Sequence, residues 1–175
     1  MSKIDVDFLK GGIIKEVVKS LLQRYGYEVF PYGYETTFSI LKNMLTEKDV
    51  RTSPSVRRMK SQPDLVVFDK KRKNLMFVEV KMRTSFPVTI KPNAIQGYKE
   101  FWNDCILVLV VPDENVFYAQ RMSDLQIREK YDPVTDFCGI REFFQDIDEY
   151  EFLDYKDMTR NLLLNLKRMK SKRFG

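Results

Sequence analysis

The chain has 175 residues, 43% hydrophobic and 31% charged, which is long enough for one domain with a proper core. Its net charge of +5 and pI near 9.1 suit a polyanionic partner. It contains no histidine, which excludes a Ser-His-Asp triad, an HNH-type or other His-dependent phosphodiesterase site, and His-ligated zinc. Hydrolysis would have to rely on carboxylates, lysine and metal.

Within residues 11–25, Ile14, Val17, Val18, Leu21, Leu22 and Tyr25 form one stripe at helical spacing, and Gly26 is a natural stop. Glu16, the single carboxylate between Gly11 and Tyr27, falls nearly opposite that stripe. Tyr27 to Phe38 reads as a strand interrupted or ended near Pro31 and Gly33, and Ser39 to Asp49 as a short helix. Arg51 to Gln62 is polar, contains Pro54 and carries Arg57, Arg58 and Lys60, so it reads as a mobile loop.

Pro63-Asp64 then opens the apolar run Leu65 to Phe68. A turn of Asp69-Lys70-Lys71-Arg72-Lys73-Asn74 follows, and a second run closes on Glu79-Val80-Lys81, the pattern of a β-hairpin. Pro63 donates no ladder hydrogen bond and suits the first position of a strand. Alternation puts Glu79 and Lys81 on one side and Val78 and Val80 on the other, and a simple register brings Asp64 near Glu79. Two carboxylates so gathered could hold Mg²⁺ or Mn²⁺, which prefer oxygen ligands and keep several waters, beside a scissile phosphate. Lys81 would orient or help deprotonate the attacking water, or stabilise developing charge. The plainer reading is an ordinary hairpin with a solvated Glu–Lys pair along one edge.

Arg83 and Lys91 flank the next segment. Pro92 to Asn103 predicts a helix with Ala94, Ile95, Tyr98, Phe101 and Trp102 available for packing and Gln96 off that face. Cys105 to Val111 is the most apolar run and reads as a central strand covered on both faces, and Asn115 to Arg121 as an edge strand. Asp132 to Tyr155 is acidic and aromatic, a surface rather than a mimic of DNA. Asp157 to Phe174 reads as a helix with a stripe of Met158, Leu162, Leu163, Leu166 and Met169. Its basic end, Lys167, Arg168, Lys170, Lys172 and Arg173, would bind DNA or complement the helix C-terminus. Cys105 and Cys138 lack metal-ligand spacing and read as free thiols of a reducing cytoplasm. The start does not resemble a signal peptide, and no apolar run approaches membrane-spanning length.

Pro63-Asp64 with Glu79-Val80-Lys81 resembles the PD-(D/E)xK nuclease superfamily, and more closely its archaeal Holliday-junction resolvases. The resemblance takes in Gly12-Ile13-Ile14-Lys15-Glu16, Leu21-Leu22, Tyr25-Gly26-Tyr27, Pro87-Val88-Thr89-Ile90, Gln96, Phe101 and the strand Ile106 to Val111. It implies an α/β fold that is restriction-endonuclease-like: a mixed central sheet flanked by helices in the order α-β-β-β-α-β, here with a C-terminal helical extension. It implies Asp64, Glu79 and the Val80 backbone carbonyl as ligands of Mg²⁺ or Mn²⁺, and Lys81 as the catalytic lysine. An acid from the first helix is also implied, for which Glu16 is the candidate and Glu35 the substitute. Gln96 would orient water or phosphate. DNA as partner and a homodimeric state follow from the same resemblance.

The expected organisation is a nuclease-like domain over residues 1–121 and a segment over 122–175 packed on it or extending it. The expected function is a divalent-metal-dependent DNA endonuclease hydrolysing phosphodiester bonds. Branched or structured DNA as substrate rests on the resemblance alone. A repair or restriction-type nuclease, and a non-catalytic DNA-binding module on the same fold, are the alternatives. Arg57, Arg58, Lys60, Arg83 and Lys91 are the candidate phosphate contacts. The basic turn at the far end of the hairpin reads as solubility or edge protection.

Overall fold

The computed structural model describes residues 6–33 and 53–168. Helix α1 (Val6–Arg24) starts earlier than the stripe predicts, runs through Gly11 and Gly12, and buries Ile14, Val18, Leu21 and Leu22. Gly26, at φ 87°, takes the left-handed conformation that turns the chain into β1 (Glu28–Pro31). The remainder of the expected strand to Phe38, the Ser39–Asp49 helix and Glu35 lie outside the described residues.

Where a mobile loop is expected, the chain forms α2 (Pro54–Lys60). Ser53 Oγ accepts the Val56 N–H at 3.3 Å and Pro54 sits at the first helical position, so the start is capped in the usual way. Val56 is the one buried residue of this helix, which leaves no apolar period for sequence reading to find.

Strands β2 (Leu65–Asp69) and β3 (Asn74–Met82) form the expected antiparallel hairpin, with Leu65 opposite Val78 and Asp69 opposite Asn74. After β4 (Val88–Thr89), helix α3 (Pro92–Phe101) carries the chain over to β5 (Ile106–Val110), which runs parallel to β3 and is buried at every residue. Strand β6 (Phe117–Arg121) pairs antiparallel with β5. It is no edge, because the tail returns to it. After β7 (Lys130–Tyr131), which pairs with β4, and the short α4 (Pro133–Asp136), strand β8 (Cys138–Gly139) adds to its outer side. The main sheet is therefore ordered β1-β2-β3-β5-β6-β8. This is the mixed, helix-flanked α-β-β-β-α-β arrangement, with the hairpin and the parallel crossover placed as that order requires.

Alternation along the strands divides the core into two apolar layers. Val67, Val78, Val80, Ile106, Val108 and Val110 pack with α1 and with Phe152, Leu163 and Leu166 of helix α5 (Glu149–Arg168). Leu107 and Leu109 face the other way, with Ile95 and Tyr98 of α3 and Tyr131 and Phe137 from the tail. Helix α5 begins at Glu149 rather than Asp157, and its inward face is rotated from the expected stripe. Phe152, Thr159, Leu163 and Leu166 are buried, whereas Met158 is 56% exposed. Tyr155 fixes this helix by donating its hydroxyl to the Val17 carbonyl at 2.8 Å. Met169 and the basic side chains from Lys167 onward lie outside the described residues.

The basic turn of the hairpin is tied down. Lys70 pairs with Glu28 at 2.6 Å, and Arg72 spans Asp69 at 2.7 Å and Asp146 at 3.1 Å. Together these pairs fasten the hairpin to β1 and to the segment entering α5. Among the described residues the two cysteines are free, Cys105 buried and Cys138 half-buried, and no helix is long and apolar enough to cross a membrane.

Candidate active site

Asp64 stands one residue before β2, and the hairpin register, continued by one pair from Leu65 opposite Val78, sets it across from Glu79. Its position is held at both ends. The Asp64 carbonyl accepts the Tyr32 and Gly33 N–H groups at 2.8 and 3.2 Å, and its Oδ2 accepts the Val80 N–H at 3.0 Å. Val80 in turn lies beside Val108 of β5 and buries its side chain in the α1 layer.

Glu79 and Lys81 share the opposite face, as period-two alternation requires. The Glu79 side chain is 2% exposed, and Lys81 is paired with its Oε1. Glu79 Oε2 is buried without a hydrogen-bond partner. The Tyr98 hydroxyl lies near enough to interact electrostatically with this carboxyl, yet no bond of regular geometry meets Oε2. Burial pushes the Glu79 carboxyl up to about 7, with Asp64 adding to the rise and Lys81 opposing it. Burial and the same carboxylate hold the Tyr98 hydroxyl well above its ordinary value. The Lys81 ammonium lies 5.8 Å from the centre of the Tyr98 ring, a cation–π distance. Tyr98 thus sits under both members of the Glu79–Lys81 pair. The i, i+4 spacing from Ala94 marks it as a packing residue, and only the tertiary fold reveals its second role.

Glu16, the candidate acid from the first helix, is not brought here. Glu16 is 65% exposed and pairs with Lys19 at 3.0 Å. Its neighbour Lys15 comes instead, with Nζ 2.6 Å from Asp64 Oδ1. The signal is readable in retrospect. At 100° per residue Lys15 falls on the edge of the α1 stripe, the position from which a side chain can pass round the end of β2, while Glu16 falls behind it.

The remaining candidates are dispersed. Gln96 is exposed on α3 and makes none of the hydrogen bonds of the centre. Arg83 is turned toward the backbone, donating to Thr89 O and Met82 O at 2.7 Å each. Burial pushes its guanidinium below the ordinary value, against the pull of Glu79. Lys91 is exposed at the start of α3. On α2, Arg57 pairs with Glu100 and Arg58 lies 5.6 Å from the centre of the Trp102 ring, so α2 rests on α3 through its basic side chains. Lys60 is exposed at the end of α2.

Two carboxylates at opposed register positions, close enough for Asp64 to act on Glu79 and one of them with an orphaned buried oxygen, form a donor set that a hard divalent cation would complete. Among the described residues no group of three or more Asp, Glu, Cys or His gathers to share an ion. The described residues would supply these two carboxylates, with water and phosphate oxygens among the remaining ligands, a pattern Mg²⁺ and Mn²⁺ accept. The residues fit that cation, and the two acids already face two ammonium groups, Lys15 and Lys81.

No family model and no curated protein matches the chain. Among solved structures it is similar to Hjc, a Holliday junction resolvase from the archaeal hyperthermophile Archaeoglobus fulgidus. The identity is 14% and the TM-score 0.49, over 77% of this chain and 98% of that one. A likeness of this size adds no weight to the reading of the site, which stands on its own geometry.

Proposed function

We propose that this protein is a divalent-metal-dependent DNA endonuclease that hydrolyses phosphodiester bonds with Asp64, Glu79 and Lys81. The observation that carries the reading is the placement of Asp64 across from Glu79, with Lys81 on the same face and Glu79 Oε2 buried without a partner. A Mg²⁺ or Mn²⁺ ion held by the two carboxylates would lower the pKa of a bound water and screen the charge that builds on the phosphate. Lys81, less buried than Glu79, is the group able to turn toward that phosphate and stabilise it or orient the water. Tyr98, buried beside Glu79 and with its ring 5.8 Å from the Lys81 ammonium, would help to hold the pair in place.

DNA as the polyanion agrees with the net charge of +5 and with Arg58 and Lys60 exposed on α2, only a few residues before Asp64. Structured DNA is the substrate class in this reading, with two copies of the chain presenting two centres to paired strands. Titration of Mg²⁺ and of Mn²⁺ against linear, nicked and four-way-junction DNA tests it. Metal-dependent cleavage is expected, greatest on the junction, and chelation should abolish it.

One observation favours a second reading, a non-catalytic DNA-binding module: among the described side chains of α1, a lysine rather than an acid reaches the centre. Binding of all three DNAs with no cleavage in either metal would establish that module instead.

A further inference from the structure

Lys15 is the unexpected member of the centre. It belongs to the helix layer packed on the far side of the sheet, yet its ammonium lies 2.6 Å from Asp64 Oδ1. The Asp64 side chain is 9% exposed, so this pair is screened far less than a surface ion pair. The other Asp64 oxygen is taken by the Val80 N–H, and Glu79 Oε1 is taken by Lys81. Of the four carboxylate oxygens only Glu79 Oε2 is without a partner. The positive charge that a metal would bring is already present at Asp64, supplied by the chain itself.

We propose that Lys15 is a built-in counter-cation that competes with the divalent ion for Asp64, so that the free protein holds the metal weakly until this ammonium withdraws. The inference rests on the metal-centre reading above. It concerns how the centre is regulated rather than what it cleaves. Lys15 acts through Asp64 and is a positioning residue. A like charge at this distance repels an incoming cation, and its removal leaves the Asp64 oxygen exposed to the metal. The Lys15 side chain is 34% exposed, so its head group is not part of the closed core.

The test is Mn²⁺ binding to the DNA-free protein, read by the loss of free-ion paramagnetic resonance signal, for wild type, Lys15→Gln and Lys15→Arg. Lys15→Gln should bind Mn²⁺ about tenfold more tightly, equivalent to about 1.4 kcal/mol. Lys15→Arg, which keeps the charge, should match wild type. Adding Glu79→Gln to Lys15→Gln should erase the gain, since the ion then loses its second ligand. Equal or weaker binding by Lys15→Gln, with a cooperative melt like that of wild type, would overturn the proposal. So would an absence of Mn²⁺ binding in all variants, which would remove the metal-centre reading as well. Tighter binding by Lys15→Gln together with no cleavage by any variant would uphold the counter-cation and reject the nuclease. Cleavage by wild type with unchanged Lys15→Gln affinity would do the reverse.

Discussion

The carboxylate of Asp64 accepts the backbone N–H of Val80 at 3.0 Å, tying the residue that enters β2 to the residue that follows Glu79. This single bond sets the spacing of the two acids, because it anchors one of them to the strand that carries the other. An acceptor is required there: the Val80 N–H is buried and would otherwise be left unsatisfied. Asp64→Ala should therefore destabilise the fold by about 1–3 kcal/mol, whereas Asp64→Asn, which keeps an acceptor, should cost less. Urea unfolding of the two variants checks this, and equal stability of both would contradict it.

Glu79 and Lys81 should respond unequally to substitution. Glu79→Gln removes a buried charge and leaves Lys81, which is 27% exposed, with access to water. Its stability should stay within about 1 kcal/mol of wild type while metal-dependent cleavage is lost. Lys81→Met leaves a buried carboxylate without its counter-ion and should cost roughly 2–3 kcal/mol. Thermal melts ranked in the opposite order would show that the pair is not as buried as described.

The α1 stripe, the hairpin, the alternation at Glu79 and Lys81 and the buried β5 were all legible, since each is a local period of 3.6 or 2 residues. What was not legible depends on partners distant in sequence. Helix α2 has a cap and a proline but one buried apolar residue, so only Ser53 and Pro54 announce it. Strand β8 has two residues, too short to show a period, and exists because β6 offers it an edge. Lys15 and Tyr98 join the centre through Asp64 and Glu79, which lie 49 and 19 positions away along the chain. The resemblance directed attention to an acid on α1, and the geometry brought its neighbour.

The clasp at the far end of the hairpin should make stability acid-sensitive. Burial raises the Asp69 carboxyl, but the Arg72 and Lys71 N–H groups and the Arg72 guanidinium outweigh it and hold it below 3.8. Hydrogen bonding from Arg72 holds Asp146 below 3.8 as well, against burial. Both carboxyls titrate lower when folded than unfolded, so their contribution is complete above the unfolded value and is lost as pH falls through the folded one. Arg72→Met should lower stability at neutral pH and flatten its decline below about pH 4, read from urea midpoints across that range. A decline as steep as that of wild type would place the acid sensitivity elsewhere.

Basic residues on α2 should act on affinity rather than chemistry. Arg57→Glu with Arg58→Glu should weaken DNA binding at low salt and reduce the slope of log affinity against log salt by about 1–2. The cleavage rate at saturating DNA should change little. Unchanged affinity at low salt would remove this helix from the contact surface.

The most direct test of the centre is to compare metal-dependent cleavage and DNA affinity for wild type, Asp64→Ala and Glu79→Ala, with folding verified for each. Wild type should cut DNA only with Mg²⁺ or Mn²⁺, and both variants should bind DNA nearly as well while cutting none. Turnover retained by either variant would contradict the assignment of these two carboxylates.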